Sequence, residues 1–250
     1  MKLNKNSFSK LPSIELEILD FLKNIKEAKP KVELIIPTLN EEKTIGYVIE
    51  KSFFYVDKVL VIDGGSDDNT VKIAKEKGAR IIFQNGRGKG AALKEAFDYV
   101  DSEIFIMLDG DGSMRPSEIP IFLNEIYSGA DIVKGSRYIS EGGSDDLSLL
   151  RKFGNTLFTI LVNIIWKSNF TDLCYGFMAF KKEAAKKLSP ILRSNGFSIE
   201  TEIIIKAQKL DLVVAEVPSF ELKRFFGKSK LKTFRDGLSI LLTILREVVK

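Results

Sequence analysis

The segment Glu103-Ile104-Phe105-Ile106-Met107-Leu108-Asp109-Gly110-Asp111-Gly112-Ser113 runs through five apolar residues and then stops at two carboxylates one glycine apart. An apolar run of this length, bounded by turn residues, reads as a fully buried strand. Four more runs of the same kind are Val32–Ile36, Lys58–Ile62, Arg80–Phe83 and Asp131–Lys134. Helical stretches near 42–52, 69–77, 89–99 and 117–128 separate them. Short buried strands alternating with helices mean βαβ units, so the spacing predicts an α/β domain with a mostly parallel sheet flanked by helices. Gly78 stands where a helix C-cap is expected, and Asp67, Asp68 and Asn69 where an N-cap is expected.

The chain has 250 residues, enough for one domain with short extensions. It has no histidine, which excludes Ser–His and Cys–His nucleophile pairs and any histidine base or zinc ligand. Its single cysteine, Cys174, allows no internal disulfide and fits a reducing compartment; it reads as a small buried apolar residue. The net charge of +4 is unevenly placed: residues 223–250 hold eight basic and two acidic side chains, leaving the rest of the chain at −2. Such a basic segment suits phosphate or an anionic lipid surface, and no nucleic-acid motif accompanies it. Residues 12–28 carry Ile14, Ile18, Leu22 and Ile25 at helical spacing, an amphipathic helix rather than a signal peptide. The apolar stretches Leu157–Trp166 and Leu238–Leu245 are far short of the ~20 residues of a spanning helix. Each lies near cations (Arg151 and Lys152 for the first), as interfacial helices do, so the expectation is a cytoplasmic protein that lies on a membrane surface without crossing it.

In a parallel sheet, ligands bind beyond the carboxyl ends of the strands. All five strand ends here lead into polar or glycine-rich loops. Asp109 and Asp111 can reach one hard cation if the chain turns at Gly110, and Mg²⁺ or Mn²⁺ held by such a pair plus substrate phosphates is the expected arrangement. Asp63 is placed to accept from a base or ribose, or else to stabilise its own turn. Gly86-Arg87-Gly88-Lys89-Gly90-Ala91 opens a helix whose N–H groups attract phosphate, although it is no P-loop and follows the third strand. Arg137, Arg224, Lys228 and Lys230 are candidates to hold a diphosphate. Asp172, Glu200 and Glu202 are the remaining acids in plausible context; the last two also suit the first turn of a helix.

Read in order, IPTLNEE (36–42), VIDGGSDDNT (61–70), GRGKGAAL (86–93), MLDGDGS (107–113), KGSRY (134–138), TDLCYGF (171–177) and EVPSFELKRFFGKSKL (216–231) resemble the family 2 glycosyltransferases, and among them the dolichyl- or polyprenyl-phosphate sugar synthases. The resemblance covers roughly residues 31–235. It implies a Rossmann-like glycosyltransferase A fold and a nucleotide diphosphate sugar as donor. It matches Pro37, Leu39 and Glu41 to the first donor-binding motif, Asp63 to a second, Asp109 and Asp111 to the metal-binding Asp-x-Asp, and Arg137 to a Gly-Ser/Thr-Arg-Tyr motif. Arg224 and Lys230 match a phosphate-contacting pair. Tyr175-Gly176-Phe177-Met178 departs from the Ser-Gly-Phe-Arg common in that branch.

These readings divide the chain into an extension (1–30), a glycosyltransferase domain (31–221), and a basic loop with a C-terminal amphipathic helix (222–250). The donor set is Pro37, Leu39, Glu41, Asp63, Lys89, Asp109, Gly110, Arg137 and Lys230. The expectation from the resemblance is that Asp111 and Arg224 stabilise the leaving diphosphate and that a polyprenyl phosphate accepts the sugar with inversion. A soluble or glycan hydroxyl acceptor is the alternative; it needs a base, for which Asp172 or Glu202 is the candidate. A remoter alternative is a phosphatase of the haloacid dehalogenase type, whose nucleophile loop Asp109–Ser113 imitates.

Overall fold

A computed structural model describes residues 30–227 and 230–249; the helix expected over 12–28 lies outside them. From Val32 onwards the chain forms one unit. Strands β1 (Val32–Thr38), β2 (Lys58–Asp63), β3 (Arg80–Phe83), β4 (Ile104–Met107) and β5 (Ile132–Ser136) alternate with helices α1 (Ile45–Ser52), α2 (Thr70–Glu76), α3 (Lys89–Tyr99) and α4 (Ile119–Tyr127). A short β6 (Gly143–Ser144) follows, then α5 (Leu149–Trp166), β7 (Met178–Lys181), α6 (Lys182–Leu188), α7 (Ile199–Lys209), β8 (Val214–Pro218), β9 (Phe220–Glu221) and α8 (Thr233–Val248). Gly78 has φ +86, as a residue beyond a helix C-terminus requires. Asn69 is the N-cap of α2, but the side-chain acceptor is Asp68, whose Oδ1 takes the Thr70 N–H at 2.9 Å.

Seven strands form one sheet in the order β3-β2-β1-β4-β7-β5-β8, with β7 antiparallel to both neighbours and all other pairs parallel. β7 and β8 extend the five-strand expectation. Alternation sorts the two faces. Ile35, Phe105 and Met107 join α3, α6 and α7 in one core, while Leu34, Ile36, Ile104 and Ile106 join α1 and α4 in the other. Phe105 stacks on Phe180 of β7 with centroids 5.0 Å apart. Because β1 leads outward to β2 and β3 on one side while β4 lies on the other, the strand order reverses between β1 and β4. The loops that leave these two strands therefore part and leave a crevice.

Two helices keep much of their apolar surface outside. α5 exposes Leu149, Phe153, Leu157, Ile160 and Ile164, and α8 exposes Phe234, Leu238, Leu242 and Leu245. α8 packs on α5 and α7 through a narrow inner stripe that includes Ile240 and Ile244.

The glycines of Gly86–Gly90 serve packing. Gly88 has φ +93 and ψ 162, a conformation that only glycine adopts without strain. A Cβ on Gly90 would sit 2.5 Å from the Ser194 carbonyl oxygen. The N–H groups of Gly90 and Ala91 both donate to the Asn195 carbonyl, at 2.9 and 3.2 Å. The start of α3 thus docks on the backbone of 194–196, which takes up two of the N–H groups expected to attract phosphate. Gly88→Ala is expected to cost about 2–3 kcal/mol by strain and overlap together, measured by urea unfolding.

Candidate active site

A cavity of about 390 Å³ fills the crevice between β1 and β4. Its walls come from the end of β1 and the loop after it (Pro37, Leu39, Glu41), the start of α3 (Lys89), the turn after β4 (Asp109, Gly110, Asp111) and the basic loop (Arg224, Lys230). Residues almost two hundred positions apart meet here because two loops leave adjacent parallel strands and the basic loop folds back across them. The loop after β1 is braced from behind. Asn40 N–H donates to Ser66 Oγ at 2.8 Å, and Glu41 N–H donates to Thr70 Oγ1 at 2.7 Å.

Every carboxylate of the cavity faces a cation. Lys89 Nζ lies 2.6 Å from Asp109 and 2.9 Å from Glu200. Arg224 Nη2 lies 2.8 Å from Asp111 Oδ2, while Asp111 Oδ1 accepts from Ser113 N–H at 2.9 Å. Lys230 Nζ contacts Glu41 Oε1 at 2.8 Å and also donates to the Leu39 carbonyl. Burial first, and then the neighbouring charge of Asp111, push the Asp109 carboxyl above its ordinary range, with Lys89 opposing them. Burial works against the Lys89 ammonium, but the charges of Asp109 and Glu200 outweigh it and hold that group above its ordinary range.

A second cavity, of about 420 Å³, adjoins the first; both are lined by Lys89, Asp109, Phe197, Arg224 and Leu231. Leu150, Phe153, Phe234, Leu238 and Leu241 of α5 and α8 supply apolar wall, and Arg137, Asn155, Cys174 and Glu200 also line it. Its floor is a buried polar cluster. Arg137 Nε and Nη2 bond the two oxygens of Asp172 at 2.7 and 3.1 Å, and its Nη1 reaches Glu221 at 3.0 Å. Burial pushes Asp172 up, but the Arg137 charge and hydrogen bonds overcome it and leave the carboxyl below its usual range. Lys134, buried beneath, donates to the Tyr175 carbonyl at 2.6 Å.

Eight of the expected residues therefore share the smaller cavity: Pro37, Leu39, Glu41, Lys89, Asp109, Gly110, Asp111 and Arg224. Lys230 completes its rim. Four others sit differently. Asp63 is buried with its carboxylate turned into its own loop, accepting from Gly65 N–H, Ser66 N–H and Ser66 Oγ at 3.0, 2.9 and 2.6 Å; it steadies the turn and does not line the cavity. Arg137 lines the larger cavity instead of the smaller one. Asp172 is fully buried, with Asn155 Nδ2 and Cys174 N–H also bonded to Oδ1 at 3.0 and 3.1 Å, which leaves it ill placed to take a proton. Glu202 is likewise buried away from both cavities and accepts from Arg193 N–H, Ser194 N–H and Arg246. Cys174 is half-buried on a cavity wall rather than within the core. Glu200, set beside Lys89, has Oε2 buried and without a hydrogen-bond partner among the described residues.

The family model described as Glycosyl transferase family 2 matches residues 33–189. The chain belongs to that family. Among family relatives it is similar to the glycosyltransferase AglJ of Haloferax volcanii, 34% identical over 219 residues that cover 85% of this chain and 70% of that protein. It is also similar to the dolichyl-phosphate hexose transferase of the same organism, 30% identical over 83% of this chain and 89% of that protein. The glucosyl-3-phosphoglycerate synthase of Mycobacterium tuberculosis, solved with Mn²⁺, uridine diphosphate and glucosyl-3-phosphoglycerate, superposes with a TM-score of 0.71 at 22% identity, covering 89% of this chain and 81% of that one. This family 2 enzyme thus has the glycosyltransferase A fold and is a glycosyltransferase. The haloacid dehalogenase alternative falls: Asp109–Ser113 follows the fourth strand of a family 2 sheet.

Two outcomes follow from the buried cluster. Removing one partner of a buried ion pair leaves the other charge uncompensated, so Arg137→Ala is expected to lower stability by about 3–5 kcal/mol in urea unfolding. Burial first, and then the charge of Asp172, push the Cys174 thiol up to about 12. At pH 8 it should be alkylated by iodoacetamide about a thousandfold more slowly than a free cysteine thiol, because so little thiolate is present.

Proposed function

We propose that this enzyme transfers a hexose from a nucleoside diphosphate sugar to the phosphate of a polyprenyl lipid, with inversion at the anomeric carbon. One observation carries the reading. A cavity built of cations and carboxylates suited to a diphosphate joins, at Lys89, Asp109 and Arg224, a second cavity with a cationic floor and an apolar wall from α5 and α8. A lipid phosphate has those two halves: an anion for Arg137 and Arg224, and a chain for the apolar wall. The name of the Haloferax dolichyl-phosphate hexose transferase supports the same acceptor class.

In this reading the diphosphate lies over Asp109 and Asp111. An acceptor phosphate oxygen attacks the anomeric carbon while the bond to the diphosphate breaks. Arg224 and Lys230 take up the charge that appears on the leaving phosphate. A phosphate acceptor is already ionised, so no base is required. This fits a chain without histidine in which Asp172 and Glu202 are both occupied. The two acids expected to serve a hydroxyl acceptor as base are thus both engaged elsewhere.

Mg²⁺ or Mn²⁺ fits the site. Two oxygen-bearing side chains flank Gly110, and the crowding that pushes the Asp109 carboxyl up is of the kind a bound cation relieves. Among the described residues no cluster of three metal-ligating side chains exists, so Asp111 and Asp109 would share the ion with diphosphate oxygens and water. The ion would supply Lewis-acid stabilisation of the leaving group. The mycobacterial synthase solved with Mn²⁺ and uridine diphosphate supports this assignment. No helix among the described residues is long and apolar enough to cross a membrane. The exposed apolar faces of α5 and α8, with basic residues of the C-terminal segment beside them, support attachment at the surface of one.

The test is transfer from a panel of uridine and guanosine diphosphate sugars, with Mg²⁺ or Mn²⁺, in the presence and absence of a polyprenyl phosphate. The expected result is glycolipid formation that needs the lipid and falls about 10²–10³-fold in kcat for Arg224→Ala. Sugar transfer to soluble hydroxyl acceptors with no response to the lipid would overturn the reading.

A further inference from the structure

The acidic turn after β4 carries an aromatic contact that the chemistry above does not use. Gly112 has φ +77, and a Cβ there would fall 2.8 Å from Cδ2 of Phe225. Glycine alone tolerates that φ and leaves room for the ring. The ring of Phe225 also meets Tyr47 of α1 edge-on, with centroids 5.7 Å apart and planes at 66°. On the other side of Arg224, the Leu222 N–H donates to the Ser113 carbonyl at 2.8 Å. Arg224, between these two anchors, reaches Asp111 at 2.8 Å. The ring remains half-exposed at 47% and forms part of the wall of a third cavity, of about 490 Å³, so core burial does not account for its placement.

We propose that Phe225 is a positioning residue: seated between Gly112 and Tyr47, it pins the 222–227 loop so that Arg224 is held over the diphosphate site. An arginine has a long, freely rotating stem, so its guanidinium is placed only as well as its backbone is held. Here the backbone is held by one hydrogen bond before Arg224 and one ring after it. The neighbours Lys223, Phe226 and Gly227 are exposed, and no aromatic contact engages Phe226 among the described residues. The kinetic part of this inference rests on the proposed donor reading; the structural part does not.

The experiment measures hydrogen–deuterium exchange of the free full-length chain, and donor kinetics, in wild type, Phe225→Ala, Tyr47→Ala and the control Phe226→Ala. The aromatic contact predicts that the 222–227 amides exchange about 3- to 10-fold faster in Phe225→Ala and Tyr47→Ala but not in the control. The donor KM should rise by a similar factor, recover in Phe225→Tyr, and show no further rise when Phe225→Ala is added to Arg224→Ala. Unchanged exchange in Phe225→Ala, an equal effect from Phe226→Ala, or a KM effect that persists undiminished in the Arg224→Ala background would overturn the proposal. Faster exchange in a chain that uses no nucleotide sugar would sink the donor reading and leave the positioning role standing.

Discussion

Two carboxylates one glycine apart, at the mouth of a buried strand, repel each other while losing much of their water. Positive charge must be brought to Asp109 and Asp111 for the turn after β4 to exist in this form. Lys89 and Arg224 bring it, from a helix start and from a loop more than a hundred residues downstream. In the proposed function these two cations and the acids they face also handle the diphosphate. The interaction that stabilises the turn is therefore the one that substrate and metal would rearrange.

The rest of the fold delivers those partners. The reversal of strand order between β1 and β4 opens the crevice. Gly88 and Gly90 let the first turn of α3 press on the 194–196 backbone, which fixes where Lys89 leaves the helix and sets Glu200 on its other side. Leu222 and Phe225 clip the basic loop to the acidic turn. Beside the crevice, the Arg137–Asp172–Glu221 cluster ties the end of β5 to the 171–176 loop and to β9, giving the larger cavity a charged floor beneath its apolar wall.

Local sequence made much of this legible. Buried-strand runs and their polar ends located five strands, and the resemblance to family 2 motifs picked out residues that the folded chain gathers round one cavity. What escaped is non-local. β7 is four residues long and runs against its neighbours, which no periodicity announces. Nothing near Glu200 in sequence reveals that Lys89, 111 positions earlier, will be its partner. Asp63 and the glycine-rich turn stand on the rim where ligands bind, yet the turn at 65–66 takes the Asp63 carboxylate and the Asn195 carbonyl takes the N–H groups of Gly90 and Ala91. The groups that occupy Asp172 and Glu202, Arg137 and the 193–194 backbone, come from other segments.

The most direct test of the central claim is Mn²⁺ binding followed by electron paramagnetic resonance, with and without uridine or guanosine diphosphate, in wild type and Asp111→Asn. The account predicts weak Mn²⁺ binding alone, because Lys89 and Arg224 already neutralise the acids. It predicts much tighter binding with the nucleoside diphosphate, and loss of that enhancement in Asp111→Asn. Mn²⁺ binding that ignores the diphosphate, or that survives unchanged in Asp111→Asn, would contradict it.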